Sequence, residues 1–166
     1  MKITLTGITG HIGSWLATYL LDQNHTIFAV SRKPIPLKNK NLNFYQEDFG
    51  KSTAVLSHCV NQSGCVIHLA AMTSHEEIVN NQEACKKLNE KIITVILSEF
   101  KKSKEKKQLI FASSGKVYRP DQTLPLTEDS DTNTSHPLGK IKLSAETYIK
   151  KNISKKDSAK LLRIFN

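Results

Sequence analysis

The stretch that most restricts the fold comes early. Thr6-Gly7-Ile8-Thr9-Gly10-His11-Ile12-Gly13 joins a β-rich run, Lys2–Thr6, to an apolar run with helical spacing over residues 12–21. Gly7 permits a tight turn, and Gly10 lets the backbone approach a pyrophosphate with no Cβ in the way. Gly13 lets the helix pack close to the strand. The free N–H groups and positive dipole end of that helix then point at the phosphates. The first two glycines stand one residue further apart than in GxGxxG. No Gly-Lys-Ser/Thr follows, which excludes a P-loop.

Beyond this turn, strand-like and helix-like runs alternate. Residues 26–30, Leu42–Gln46, 65–70, 108–112 and 160–165 read as strands. Residues 52–60, a long pattern through Ile92, Ile93, Val95, Ile96 and Phe100, and residues 141–149 read as helices. In the first helix Ile12, Trp15, Leu16, Tyr19 and Leu20 recur at helical spacing. Residues 31–41 and 119–137, which hold the prolines, read as loops. Alternation of this kind implies βαβ units, and right-handed crossovers narrow the fold class. It is α/β: a doubly wound parallel sheet (Rossmann-type) of about six strands with helices on both faces.

Composition narrows the setting. With 166 residues the chain holds one domain, and 39% hydrophobic with 23% charged residues is a globular balance. No apolar run approaches 18 residues, so no membrane helix is expected. The glycines that break up residues 1–21 argue against a secretory signal. Three cysteines, Cys59, Cys65 and Cys85, form no CxxC pair. Neither a disulfide framework nor a metal site is therefore expected, and the implied setting is reducing and cytoplasmic. The net charge of +9 permits a nucleic-acid or anionic partner. Its densest run, Lys101 to Lys107, has no interleaved aromatic to stack a base. That run reads as a solvated helix end, which argues against a nucleic-acid interface. A basic nucleic-acid-binding or interaction module is kept as an alternative.

The TGxxGxxG form resembles that of the short-chain dehydrogenase/reductase superfamily, and four further motifs resemble its extended branch, the NAD(P)-dependent sugar-nucleotide epimerases, dehydratases and reductases. His68-Leu69-Ala70-Ala71 resembles the HLAA motif, and Ser113-Ser114-Gly115-Lys116-Val117-Tyr118 the SSxxVYG motif. Gly139, Lys142, Leu143, Ala145 and Glu146 resemble the YGxSKLxAE helix, and Leu162 to Asn166 its sixth strand. Asn89 sits where the family often has a helix asparagine. The resemblance implies a dinucleotide cofactor held by Gly7, Gly10, His11, Ile12, Gly13, Leu69, Ala70, Ala71 and Lys142. Asp48 and Phe49 match the family's adenine contact.

The second strand ends Val30-Ser31-Arg32-Lys33 with no carboxylate for a ribose 2′-hydroxyl. Ser31 and Arg32 suit a 2′-phosphate instead, so NADP is expected over NAD. The family's reaction needs a tyrosine acid/base, a lysine four residues later, and a Ser or Thr that orients the substrate oxygen. Ser114 and Lys142 match two of these catalytic positions, but the tyrosine position holds Leu138. A shifted His136–Lys140 register would supply an HxxxK pair, at the loss of the flanking matches. Gly115-Lys116 replaces the Asp-Glu pair of the dehydratases.

The family's chain also continues into a small C-terminal substrate domain. Residues 1–166 are therefore expected to form the NAD(P)-binding domain alone, and a nucleotide-sugar substrate is in doubt. Impaired turnover is the leading expectation. The alternative is an active NADP-dependent reductase or epimerase whose substrate contacts come from elsewhere. The family further suggests a homodimer through helices near residues 90–100 and 140–150.

Overall fold

The computed structural model describes residues 1–70, 78 and 80–165. Six parallel strands, β1 (Lys2–Thr6), β2 (Thr26–Ser31), β3 (Leu42–Gln46), β4 (Cys65–His68), β5 (Gln108–Ser114) and β6 (Ser158–Ile164), form one sheet. Their order is β3-β2-β1-β4-β5-β6. The chain steps outward from β1 to one edge and returns past it to the other, as a doubly wound sheet requires. Between the strands lie α1 (His11–Asp22), α2 (Ala54–Gln62), α3 (Gln82–Lys102), a 3-10 turn (Gly115–Val117) and α4 (Pro137–Asn152).

Strand register sorts the side chains into two layers. In β5, Leu109 and Phe111 are buried against α3 and α4, whose Ile92, Ile93, Ile96, Phe100, Ala145 and Ile149 share that layer. On the other face, Ile3, Leu5, Ile27 and Ala29 meet Ala17, Leu20 and Leu21 of α1. Both layers are apolar, which supplies the main drive for folding.

Two polar anchors hold elements in place. The buried Glu47 carboxylate accepts the N–H groups of Val55 (3.0 Å) and Leu56 (3.0 Å), satisfying donors that the start of α2 leaves open. Buried Lys107 donates its Nζ to the carbonyls of Val60, Asn61 and Ser63 at the far end of α2. A cation there meets the negative end of the helix dipole.

Lys107 corrects the reading of residues 101–107 as one solvated helix end. Helix α3 stops at Lys102, and Lys107 is 3% exposed. Ser31 belongs to β2 and not to the loop after it, and β4 stops at His68. The apolar residues of α1 also divide. Leu20 is buried, whereas Ile12, Trp15 and Tyr19 face outward. All three cysteines are buried, and among the described residues no helix is long and apolar enough to cross a membrane.

Candidate functional site

The glycine turn works mainly through backbone geometry. Gly7 has φ +78°, and a Cβ there would press on the backbone of Leu69 and Ala70. A Cβ on Gly13 would overlap the Gly7 carbonyl, so α1 can approach the turn only because residue 13 is glycine. Gly10 caps α1 with no side-chain bond, and the helix has no acidic residue in its first turn. The first-turn residues His11, Ile12 and Gly13 therefore leave their N–H groups available for an anion.

The parallel strands deliver their C-terminal ends to this same edge. Ser31, Arg32 and Lys33 after β2, Asp48 and Phe49 after β3, and Leu69 and Ala70 after β4 join Gly7 and Gly10 around a cleft of about 370 Å³. Arg32 and Lys33 are exposed, and the sequence from Val30 to Lys33 contains no carboxylate. The Ser31 hydroxyl accepts the Lys33 N–H at 3.3 Å and lies 3.4 Å from the Thr9 hydroxyl. Asp48 accepts the Gly50 N–H, a turn contact that leaves its other oxygen open. Asn89 of α3 lines the cleft too. Its amide donates to the Cys85 carbonyl, while its buried Oδ1 has no partner among the described residues. An orphaned acceptor on the wall suits a ligand that donates a hydrogen bond. Ala71 lies outside the described residues.

The ends of β1 and β4 are tied together below the cleft. Thr6 Oγ1 lies 2.7 Å from His68 Nδ1 and accepts the Ala70 N–H at 3.2 Å. Burial, reinforced by the Lys142 charge, pushes the His68 pKa down to about 3. The imidazole stays neutral at physiological pH and serves as a strand-end brace.

At the β5–α4 side lie the residues expected at the reaction centre. Ser114 ends β5, and its Oγ accepts the Lys116 N–H at 3.2 Å, leaving the hydroxyl proton free to donate. Lys142 is buried, donates Nζ to the Ala112 carbonyl at 2.6 Å and sits 4.8 Å from the Phe111 ring centre. Burial lowers its pKa to about 8, with Glu146 opposing that shift.

Glu146 has a further role that the motif match did not indicate. It accepts bonds from the Ser113 hydroxyl and from Arg163 (2.9 Å), tying β5 and β6 to α4. Leu138 is packed against Ile78, Cys85 and Ile141, so hydrocarbon fills the position where the motif calls for a phenol. Lys140 of the His136–Lys140 alternative is exposed, whereas Lys142 is buried. The described residues contain no cluster of His, Cys, Asp or Glu able to hold a metal.

A family model described as the NAD dependent epimerase/dehydratase family matches residues 3–166. UDP-glucose 4-epimerase of Bacillus subtilis is 29% identical over the whole of this chain and 52% of its own length. UDP-glucose 4-epimerase 2 of Arabidopsis thaliana is 29% identical over 99% of this chain and 51% of its own. The chain thus spans about half the length of the curated relatives it matches. Among solved structures, UDP-glucose 4-epimerase from Bifidobacterium longum in complex with NAD+ and UDP superposes with a TM-score of 0.84 at 25% identity, covering 98% of this chain and 52% of that one. UDP-N-acetylglucosamine 4-epimerase from Methanobrevibacter ruminantium gives the same TM-score, 0.84, at 25% identity over 98% of this chain and 52% of that chain.

Proposed function

Because the chain belongs to the NAD-dependent epimerase/dehydratase family, we propose that it is a dinucleotide-binding protein of the sugar-nucleotide epimerase kind, with NADP as the favoured cofactor and little turnover of its own. The observation that carries this reading is the convergence of the glycine turn, Ser31–Arg32–Lys33 and Asp48–Phe49 on one cleft. Gly7, Gly10 and the first-turn N–H groups of α1 would hold the pyrophosphate. Asp48 and Phe49 would meet the adenosine, Ser31 and Arg32 the 2′-phosphate, and Lys142 the ribose nearest the reacting ring. When bound, the cofactor supplies a hydride acceptor or donor.

The chain's own residues cover only part of the reaction. Ser114 can donate its hydroxyl proton to a sugar oxygen. Lys142 can raise the local positive potential, since its ammonium is held in a low-dielectric pocket. No group at position 138 can take or give a proton, and losing a positioned acid/base typically costs about 10²–10⁴-fold in rate. The relatives' printed names speak for a nucleotide sugar as the substrate class, with contacts beyond those of Ser114.

Calorimetric titration with NADPH and NADH tests this reading. The expected result is saturable binding with NADPH ahead. Replacing Arg32→Asp should reverse the preference by roughly 10–100-fold, the worth of a charge-assisted bond of about 1.5–3 kcal/mol. Equal affinities that Arg32→Asp leaves unchanged would remove the NADP assignment. Absence of binding by either cofactor would remove the whole reading.

A further inference from the structure

Helix α3 carries five lysines, and one of them departs from the pattern of its neighbours. Lys86, Lys87 and Lys102 each meet an acid of the helix itself: Glu90 at 3.9 Å, Glu83 at 3.8 Å and Glu99 at 2.6 Å. Lys91 makes no ion pair among the described residues. Its Nζ leaves the helix and donates to the carbonyls of Phe49 (3.0 Å) and Gly50 (3.4 Å), in the loop between β3 and α2.

That loop satisfies most of its polar groups from within. The Lys51 and Ser52 N–H groups donate to the Asp48 carbonyl at 2.9 Å, and the Gly50 N–H donates to Asp48 Oδ1 at 2.9 Å. Glu47 accepts the Ser52 hydroxyl at 2.8 Å as well as the N–H groups that start α2. The successive carbonyls of Phe49 and Gly50 take no bond inside the loop, and Lys91 is their donor among the described residues. Glu47 thus grips the loop from the α2 side and Lys91 grips it from the α3 side. Asp48 and Phe49, held between the two, line the cleft.

The helix end of this strap is itself fixed. Glu90 accepts the Ser144 hydroxyl of α4 at 3.2 Å, and the Thr94 hydroxyl donates to the Tyr148 hydroxyl at 2.9 Å. Leu88, Asn89 and Ile92, around the same turn of α3, line the cleft, and helical spacing sets Lys91 next to Leu88. One ammonium therefore joins two parts of the cleft lining, the loop and the helix wall, and sets their separation. Lys91 is exposed, so its loss would leave two loop carbonyls to water and not stranded in the core. The worth of the strap lies in position more than in the stability of the fold.

We propose that Lys91 is a positioning residue for base selection: it holds the Asp48–Phe49 segment so that the cleft accepts an adenine and rejects a base with an oxo group in place of the amino group. The proposal rests on the reading of the cleft as a dinucleotide site with Asp48 and Phe49 at the adenosine. Lys91 acts through the loop and not on the ligand. The Asp48 oxygen left open by the Gly50 contact can accept from an exocyclic amino group. An oxo group in the same place, as in hypoxanthine, sets two acceptors against each other. A carboxylate held still penalises that pairing, whereas one free to swing aside does not.

Calorimetry on the 166-residue protein provides the test, with the tighter-binding of NADPH and NADH titrated beside its hypoxanthine analogue. The parent protein should prefer the adenine form by roughly 10-fold. Lys91→Met should weaken the adenine form by roughly 3–10-fold and leave the hypoxanthine form nearly unchanged, so the preference collapses. Lys91→Arg, which keeps a long cationic donor, should restore it. The urea midpoint should stay at the parent value in both variants. Asp48→Asn should abolish the preference by itself, and adding Lys91→Met to it should change the ratio no further, since both act through one carboxylate. An unchanged ratio in Lys91→Met overturns the proposal, whether both affinities hold or both fall together. So does a lowered urea midpoint, failure of Lys91→Arg to restore the preference, or a further change of ratio in the double variant. A parent protein that binds neither dinucleotide removes the cofactor reading and this proposal with it, whereas binding without dependence on Lys91 removes this proposal alone.

Discussion

The end of the molecule at β1–α1–β2 and the end at β5–α4 differ in how much of the proposed site each completes. At the first, every position set by backbone geometry is intact: Gly7 holds a positive φ, Gly13 admits the helix, and the strand ends open onto a cleft. At the second, on the proposed reading, the supporting residues are in place while the position expected to carry the acid/base holds a leucine. Lys142 still reaches the Ala112 carbonyl and Glu146 still ties the strands to α4, yet Leu138 is packed as core. A supporting residue is held by the stability of the fold. An acid/base is held only by the reaction it serves, so it can be lost without unfolding anything.

Breaking the geometry of the first end should have the largest effect. Gly7→Val places a branched residue at φ +78° against the backbone of Leu69 and Ala70. The combined strain and overlap should consume much of a total stability of typically about 5–15 kcal/mol. Urea denaturation should show a largely unfolded protein. A native-like transition would mean that the turn can relax, and that its glycine is not a structural requirement.

Two pH windows separate the ends next. His68, bonded to Thr6 beneath the cleft, has its pKa lowered from 6.5 to about 3. The unfolded chain takes up its proton first, so the His68 contribution is whole above pH 6.5 and declines as the pH falls toward 3. Its full span is on the order of 5 kcal/mol. Lys142, at the other end, is lowered from 10.5 to about 8. Its contribution is whole above pH 10.5 and declines as the pH falls to 8, over a span of about 3 kcal/mol. Denaturation series on His68→Asn and Lys142→Met should each flatten one window and leave the other. Flattening of both by either variant would show that the two ends titrate as one unit.

The smallest expected effect is the most informative about Leu138. It is only partly buried, so Leu138→Tyr should change stability by less than about 1.5 kcal/mol while returning a phenol four residues before Lys142. Any rise in sugar-dependent cofactor oxidation over the parent would place the deficit at this side chain. No rise in a folded, cofactor-binding variant would place it in the substrate contacts.

How much of this was legible in the sequence follows from the kind of constraint involved. The glycine turn and the alternation of strands and helices in a doubly wound sheet were readable because each depends on local backbone geometry or period. Glu47 and Lys107 were not. Both look like solvated charges in the chain, and only the packing of α2 between them reveals a carboxylate at its start and an ammonium at its end. The periodicity of α1 was read correctly, but period alone does not say which apolar residues meet the sheet. Trp15 and Tyr19 belong to the pattern and lie outside the core. Likewise, the substitution at position 138 was visible in the sequence, but its conversion into packing with Ile78, Cys85 and Ile141 required the fold.

The central claim, that the binding end is whole while the reaction end lacks its acid/base, meets its most direct test in one absorbance measurement. Protein saturated with NADP+ is mixed with UDP-glucose and followed at the wavelength where the reduced nicotinamide absorbs. The account predicts a flat trace from a fully loaded protein. Because epimerisation returns the hydride to the sugar, even a transient rise, or the appearance of epimerised UDP-sugar, would show that this chain moves the proton without a tyrosine at position 138, and would contradict it.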